Sequence, residues 1–248
     1  MLRRVRPDQH GPFDLEEGGC CIPDCQLAVA TVVELTEAKD NAILVTTWYS
    51  GTHQIFRDIY IGPDHALNPN RYFIVCINQI GDGLSTATHN ADGPNAELAT
   101  SKFPKVRIGD DVVAQERLLR EHFGIATLQL VVGASMGVQQ TYEWAVRFPD
   151  KVRCAAPITS HDFLYTETLN EQIWSDPGWN GGEYKSNVDV LDGLTRHAHI
   201  WGVLGFSTEF WEQEVGRSLE FETKEAFLER FLEPDSTVMD PNDLLTLA

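Results

Sequence analysis

Residues 128–137 read LQLVVGASMG, and this stretch decides the fold class of the chain. Its first six residues form a short apolar run, which is typical of a strand covered on both faces. Glycines at positions 133 and 137 then flank Ser135, and residues 138–148 (VQQTYEWAVRF) read as a helix ended by Pro149. Strand, tight turn and helix in this order are the context in which a G-x-S-x-G turn presents its serine as a nucleophile.

The segments before this unit alternate between strand and helix patterns. Residues 42–47 (AILVTT) and 72–78 (YFIVCIN) are two further apolar runs of strand length. Residues 110–123 (DDVVAQERLLREHF) have apolar side chains near helical spacing, begin with acids and are followed by Gly124, a helix stop. Strands separated by a helix predict right-handed crossovers and a parallel sheet.

Two flanking segments extend the predicted sheet. Residues 152–159 (VRCAAPIT) follow the serine helix and read as another strand. Residues 26–35 (QLAVATVVEL) are apolar and β-branched, and they follow the turn-like Ile22-Pro23-Asp24. We predict that residues 26–35 pair as a hairpin with the segment before them.

Length and charge limit the classes of protein to consider. A chain of 248 residues suits one α/β domain carrying an insertion. It has 19 Lys and Arg against 37 Asp and Glu, a net charge of −18, so its surface repels nucleic-acid phosphates and anionic membranes. No apolar core of a signal peptide follows the basic N-terminus, and no stretch is long enough to span a bilayer. We expect a soluble cytoplasmic protein with neither nucleic acid nor membrane among its partners.

The cysteines do not form a metal-binding pattern. There are five of them, at positions 20, 21, 25, 76 and 154, and an odd number without a signal peptide predicts reduced thiols. Adjacent cysteines rarely ligate one tetrahedral ion well, and no matching CxxC or HxxxH pair occurs elsewhere. Gly81-Asp82-Gly83 is too short a pattern for a phosphate loop. The sequence predicts no metal and no cofactor.

The serine turn and one loop supply the groups that acyl chemistry requires. Ser135 is the predicted nucleophile, and the backbone N–H of Met136, at the start of the helix, is a predicted oxyanion donor. The strand at 42–47 runs into Trp48-Tyr49-Ser50-Gly51-Thr52-His53, from which the backbone N–H of Tyr49 is the second predicted donor. Trp48, Ser50, Gly51 and His53 are the predicted substrate-binding residues, while the rings of Trp48 and Tyr49 are equally typical of core packing.

Several blocks of sequence, in one order along the chain, carry a family resemblance. They are IGP at 61–63, AL at 66–67, RYFIV at 71–75, NQIGDGLS at 78–85, FPKV at 103–106, GASMG at 133–137, EWAV at 143–146 and FPD at 148–150. With these blocks, residues 41–160 resemble the homoserine O-acetyltransferase-like branch of the α/β hydrolases, which includes esterases and acyl-transfer enzymes. The resemblance extends weakly through residues 201–248, which look like the inserted cap of such enzymes.

The resemblance implies an α/β-hydrolase fold, with a mostly parallel sheet, flanking helices and an inserted helical cap. Residues 1–161 are then the core that carries the serine turn, and residues 162–248 are a helical cap or lid within the same domain. Residues 208–219 and 224–232 have apolar side chains near helical spacing, which would pack the cap or line a substrate tunnel; the pattern favours packing.

The resemblance also implies a serine-dependent ester hydrolase or O-acyltransferase. Ser135 would attack a small acyl ester or acyl-thioester, and water or an alcohol would receive the acyl group. Residues 47–51 (TWYSG) look like the esterase-like members, and Val138 stands where true homoserine acetyltransferases usually have another glycine. Homoserine is therefore not the expected acceptor. A homodimer is compatible with the resemblance.

The general base is the open point of this interpretation. In the family, the acid and the histidine of the triad follow the cap, and this sequence stops inside or just after it, so the expected Asp, His and last strands are absent. His161 with Asp162, after the strand at 152–159, is the candidate replacement base and acid. Three alternatives stay open: a truncated hydrolase or acyltransferase, a short paralogue that acts as a binding or interaction protein, and a working esterase using His161 or a partner chain's histidine.

Overall fold

The computed structural model describes residues 2–5, 12–158 and 163–247. The strands in these ranges are β1 Leu2–Val5, β2 Phe13–Asp14, β3 Cys21–Ile22, β4 Leu27–Val32, β5 Ala42–Thr46, β6 Phe73–Ile77, β7 Leu130–Ala134 and β8 Ala155–Ile158. The α-helices are α1 His53–Ile59, α2 Ile108–Leu118, α3 Met136–Arg147, α4 Phe163–Trp174, α5 Leu191–Leu204, α6 Thr208–Glu212, α7 Lys224–Phe227, α8 Glu233–Thr237 and α9 Pro241–Thr246. The described residues up to 158 belong to one compact unit, and residues 163–246 belong to a second.

Six strands of the first unit form one sheet in the order β1-β4-β6-β5-β7-β8. The pairs β6–β5, β5–β7 and β7–β8 are parallel, whereas β1–β4 and β4–β6 are antiparallel. The parallel strands are the apolar runs that the sequence analysis identified, and α1, α2 and α3 connect them. A mostly parallel sheet with flanking helices confirms the predicted fold class.

Side chains of the central strands alternate between two apolar clusters, one on each face of the sheet. Leu44, Val75 and Val131 pack in one cluster with residues of α2 and α3. Their sequence neighbours Val45, Ile74, Cys76 and Val132 pack in the other cluster with Phe56 of α1. Because successive side chains of a strand point to opposite faces, strands covered on both faces have continuous apolar sequences.

The helix predicted at 110–123 is present, but it begins two residues earlier, at Ile108, and its regular α-helical part ends at Leu118. The Asp110 carboxylate accepts the backbone N–H of Arg107 at 3.0 Å, as an acid at a helix start should. After α2, residues Leu119–Phe123 form a π-helical turn that stops at Gly124, whose φ is 66°. The predicted stop is therefore confirmed, since a left-handed φ is accessible to glycine at little cost.

The predicted hairpin at residues 26–35 is wrong. The segment directly before β4 is β3, which pairs with β2 in a separate two-stranded sheet. β4 pairs instead with β1, in the register Leu2↔Ala30 to Val5↔Leu27, and with β6. The apolar pattern identified a buried strand, but it does not state which neighbours that strand has.

The second unit is helical, with α4 to α9 joined by short 3-10 or π-helical segments and turns. The helix predicted at 208–219 is broken, because α6 ends at Glu212, Glu214 has a left-handed φ of 51°, and Val215–Leu219 form a 3-10 turn. Phe227, 1% exposed, is surrounded by five aromatic rings with centroids 4.9 to 5.8 Å from its own: Phe206, Phe210, Trp211, Phe221 and Phe231. These aromatic residues pack the unit's own interior, which agrees with the favoured interpretation.

Candidate active site

The loop between β7 and α3 holds Ser135 in a conformation that side chains rarely adopt. The residue has φ 53° and ψ −122° and forms the N-terminal boundary of α3. A non-glycine residue in such a region is strained by about 1–3 kcal/mol, and the strain persists only where the surrounding structure enforces it. A sharp strand-to-helix turn of this kind is how a G-x-S-x-G sequence exposes its serine.

Close approach of β5 to the turn explains the glycines on both sides of Ser135. A Cβ atom on Gly133 would collide with the carbonyl oxygen of Gly137 and with Oγ1 of Thr46. A Cβ atom on Gly137 would lie 2.7 Å from the carbonyl oxygen of Thr46. Only glycine leaves room for the first turn of α3 to cross the end of β5 at this distance.

Buried hydroxyl groups fix the start of α3. The Oγ1 atoms of Thr46 and Thr141 both donate to the carbonyl oxygen of Gly137, at 2.9 and 2.8 Å. The backbone N–H of Ser135 donates to the carbonyl of Ile158 in β8 at 3.3 Å. Strand β5, helix α3 and strand β8 therefore all contribute to the conformation of the serine turn.

The loop of residues 47–52, which we call the oxyanion loop, begins next to the serine turn. Strands β5 and β7 are parallel neighbours, and Thr46 of β5 pairs with Gly133 of β7. Trp48 lies two residues after Thr46, and Ser135 lies two residues after Gly133. Met136 is the first residue of α3, and the first N–H groups of a helix have no acceptor within the helix. The sheet register thus brings together the two segments whose backbone N–H groups were predicted to be oxyanion donors.

The predicted substrate-binding residues differ in exposure. Ser50 is exposed and Trp48 is half-buried, with its ring centroid 4.7 Å from that of Phe56, whereas Gly51 and His53 are buried. The side chain of Tyr49 is also buried, and burial raises the pKa of its phenol above the ordinary value. The ring of Tyr49 therefore packs in the core.

Two amide residues directly after β6 hold the oxyanion loop and the start of α1, and the sequence analysis did not single them out for this. Asn78 Oδ1 accepts the backbone N–H of His53 at 3.0 Å, and its Nδ2 donates to the carbonyl of Ala28 at 2.7 Å. Gln79 Nε2 lies 3.4 Å from the carbonyl oxygen of Thr47 and 3.3 Å from that of Trp48. The sequence signal that could have identified them is a pair of carboxamide residues directly after a buried strand.

Three of the described histidines have side-chain partners other than Ser135. His53 Nδ1 lies 3.2 Å from Nδ2 of Asn78, and burial lowers the pKa of this imidazole. In the second unit, His197 Nδ1 lies 3.2 Å from Ser236 Oγ and His199 Nε2 lies 2.9 Å from Glu233 Oε1. No hydrogen bond joins Ser135 Oγ to a side chain within residues 12–158 and 167–247. The predicted base His161 and its acid Asp162 lie outside the described residues.

A strained serine at the carboxyl edge of a parallel sheet, with a helix N-terminus behind it, defines the class of this protein. The chain belongs to the α/β hydrolases: the family pattern described as the alpha/beta hydrolase fold matches residues 48–203.

Relatives within the class are esterases. A probable esterase of Corynebacterium glutamicum is 58% identical over 244 residues, which is 96% of this chain and 69% of the relative. An ethyl acetate hydrolase of Pseudomonas veronii is 49% identical over 254 residues, covering 97% of this chain and 72% of the relative. The crystal structure of an acetylester hydrolase from Corynebacterium glutamicum superimposes with a TM-score of 0.93 at 55% identity, covering all of this chain and 71% of that one.

Homoserine O-acetyltransferases are more distant relatives. The enzyme of Solidesulfovibrio magneticus is 35% identical over 246 residues, and the match covers 92% of this chain and 61% of that enzyme. The predicted resemblance is thus confirmed at the level of the family, with esterases nearer than acetyltransferases. In the described ranges, no helix is both long and apolar enough to cross a membrane, and no group of three or more His, Cys, Asp or Glu could hold a metal ion.

Proposed function

We propose that this chain acts as a serine-dependent ester hydrolase on small acyl esters, through an acyl-enzyme on Ser135. The observation that carries the proposal is the conformation of Ser135, held at φ 53° and ψ −122° between β7 and α3. The names of the relatives, a probable esterase and an ethyl acetate hydrolase, support an ester substrate. We therefore propose acetate esters of short alcohols as the substrate class.

The proposed reaction has two acyl-transfer steps. Ser135 Oγ bonds to the carbonyl carbon while its proton passes to an imidazole base, and the carbonyl oxygen becomes an oxyanion. The backbone N–H groups of Met136 and Tyr49 donate to that oxyanion, and each such donor contributes about 3 kcal/mol to transition-state stabilisation. The alcohol leaves with the proton. Water then attacks the acyl-enzyme by the same route and releases the carboxylic acid and Ser135.

The base and the binding groups complete the proposal. His161, oriented by Asp162, is the candidate base within the printed sequence, and a histidine of a partner chain is the alternative. Ser50 and Trp48, which retain exposed surface in the oxyanion loop, are proposed to contact the substrate. The buried Gly51 and His53 are proposed to maintain the conformation of the loop and of the start of α1. We propose that residues 163–246 form the cap region that the family resemblance implies.

Acyl transfer to an alcohol is the second candidate function. The 35% identity to a homoserine O-acetyltransferase favours it, because hydrolysis and transfer share the acyl-enzyme and differ only in the acceptor. The greater identity to the esterases favours water as the acceptor. Adding a primary alcohol to the hydrolysis assay separates the two, since transfer would produce a new ester in place of the free acid.

The first test is active-site labelling. The folded chain is treated with a fluorophosphonate probe, the adduct is located by mass spectrometry, and hydrolysis of ethyl acetate is followed in parallel. We expect labelling at Ser135 alone, and loss of both labelling and hydrolysis in Ser135→Ala. Ser218→Ala, which removes an exposed serine of the second unit, is the matched control and should retain both.

Two results would contradict the proposal. Hydrolysis that persists in Ser135→Ala would exclude this serine as the nucleophile. A folded chain that neither labels nor hydrolyses would favour the alternative of a binding or interaction protein that keeps the fold without the chemistry.

A further inference from the structure

Two buried carboxamide side chains donate to the backbone carbonyls of the oxyanion loop. Gln79, which follows β6, has its Nε2 3.4 Å from the carbonyl oxygen of Thr47 and 3.3 Å from that of Trp48. Gln140, in α3, donates from Nε2 to the same Thr47 carbonyl at 3.0 Å. Both glutamine side chains are fully buried. The loop is therefore held by side chains from two different elements of the core.

A chain of hydrogen bonds fixes the orientation of Gln140. The indole Nε1 of Trp144 donates to Gln115 Oε1 at 2.8 Å, and Gln115 Nε2 donates to Gln140 Oε1 at 2.6 Å. Since the oxygen of Gln140 accepts from Gln115, its NH2 group must face Thr47. This chain holds the carbonyl of Thr47 independently of Gln79. The next carbonyl, that of Trp48, accepts the backbone N–H of Gly51 at 3.1 Å, and Gln79 is the side chain that reaches it.

The geometry of the peptide bond links that carbonyl to the oxyanion hole. The carbonyl of Trp48 and the N–H of Tyr49 belong to one peptide unit, and in a trans unit they point in opposite directions. A donor that holds the Trp48 carbonyl toward the core therefore turns the Tyr49 N–H away from the core. We infer that Gln79 is a positioning residue that sets the direction of the Tyr49 N–H in the oxyanion hole; this inference rests on the proposed function.

The cost of burying Gln79 supports a role beyond packing. Its Oε1 is buried without a hydrogen-bond partner in the described part of the chain, and so is Oγ1 of Thr47. An unpaired buried carbonyl destabilises the folded state, and an apolar side chain of similar size would avoid that loss. An apolar residue could not supply the NH2 group of Gln79, and this NH2 group is directed at the oxyanion loop.

The test compares Gln79→Met and Gln79→Leu with a matched control. Met keeps the length of the side chain but has no NH2 donor, and Leu is shorter, branched and also without a donor. Asn95→Leu is the control, because Asn95 is also a buried amide that holds a backbone segment, bonding to both the N–H and the carbonyl of Asp24. With p-nitrophenyl acetate, we expect both Gln79 variants to lose about 10- to 100-fold in kcat, with KM within about twofold of the unsubstituted chain. Asn95→Leu should melt at a lower temperature with kcat unchanged.

Equal kcat in the Gln79 variants and the unsubstituted chain would overturn the inference, and so would an equal loss in Asn95→Leu. Hydrogen exchange of the Trp48 and Tyr49 amides, measured on Gln79→Met, gives a readout that does not depend on turnover. Faster exchange is expected there, and unchanged exchange would overturn the inference. If the unsubstituted chain shows no labelling at Ser135, the proposed function fails, and the exchange measurement alone decides whether Gln79 positions the loop.

Discussion

Replacing Ser135 with glycine should make the protein more stable while abolishing its proposed chemistry. At φ 53° and ψ −122°, a residue with a Cβ atom is strained by about 1–3 kcal/mol, and glycine is not. Glycine loses more backbone entropy on folding, which costs about 0.5–1 kcal/mol. The net expectation for Ser135→Gly is a gain of about 1 kcal/mol in the free energy of unfolding, or a rise of about 2–4 °C in Tm for a chain of this size.

Urea denaturation and differential scanning calorimetry measure this gain, and two variants control for other effects. Ser135→Ala removes the hydroxyl but keeps the Cβ atom, so it should remain close to the unsubstituted chain in stability. Ala134→Gly, one residue earlier within β7, should lose about 0.5–1 kcal/mol because glycine weakens a strand. If Ser135→Gly is no more stable than Ser135→Ala, the strain at this position does not exist and the reasoning is refuted.

Three further predictions concern the serine turn and buried titratable groups. Gly137→Ala should lower stability by about 1–3 kcal/mol, measured by urea denaturation, because the new Cβ would lie 2.7 Å from the Thr46 carbonyl oxygen. Burial raises the pKa of the Asp111 carboxyl group well above its ordinary value, so the folded chain binds the carboxyl proton more tightly than the unfolded chain does. The free energy of unfolding therefore falls as pH rises above about 4. Asp111→Asn keeps an acceptor for the Ile80 N–H and should gain stability relative to the unsubstituted chain as pH rises from 4 to 7. Burial lowers the pKa of His197 to about 4, so the unfolded chain binds the imidazole proton more tightly than the folded chain does. The free energy of unfolding therefore falls by about 3 kcal/mol as pH falls from about 6.5 to 4. His197→Gln should remove that loss in pH-dependent melting experiments.

Controls for these predictions follow from the structure. Glu222→Gln removes an exposed carboxyl group and is the control variant in the pH-dependent melting experiments. An unchanged Tm in Gly137→Ala would mean that α3 can move away from β5. Parallel pH profiles for the unsubstituted chain and either the Asp111 or the His197 variant would contradict the corresponding pKa shift.

Local sequence patterns were sufficient for the parallel part of the sheet and for the serine turn. Strands covered on both faces are continuous apolar runs, so β5, β6 and β7 could be located to within two residues. Gly133 and Gly137 could be interpreted because a turn of this type requires the absence of Cβ atoms at fixed offsets from the serine. Both signals are local, since each follows from the conformation of a short segment.

Other features were missed because they depend on residues far apart in the chain. β4 pairs with β1, more than twenty residues earlier, and with β6. No local pattern distinguishes β1 from the nearby β3 as a partner of β4. The predicted helix at 208–219 is broken at Glu214, although its apolar spacing is continuous. Gln79, Gln115 and Gln140 look like ordinary polar residues in the sequence, and only folding shows that their amides are buried. Gln115 donates to Gln140, and Gln140 and Gln79 each donate to the carbonyl of Thr47.

The sequence by itself therefore determined the class of fold, the position of Ser135 and the loop after β5, because these depend on the chemistry of contiguous residues. Only the tertiary structure decided which strands are neighbours, how Thr46 and Thr141 fix the start of α3, and which amides hold the carbonyls of the oxyanion loop. The physical reason is that hydrogen bonds between distant segments depend on the direction of each donor and acceptor after packing, and this direction is not encoded in any single stretch of the chain.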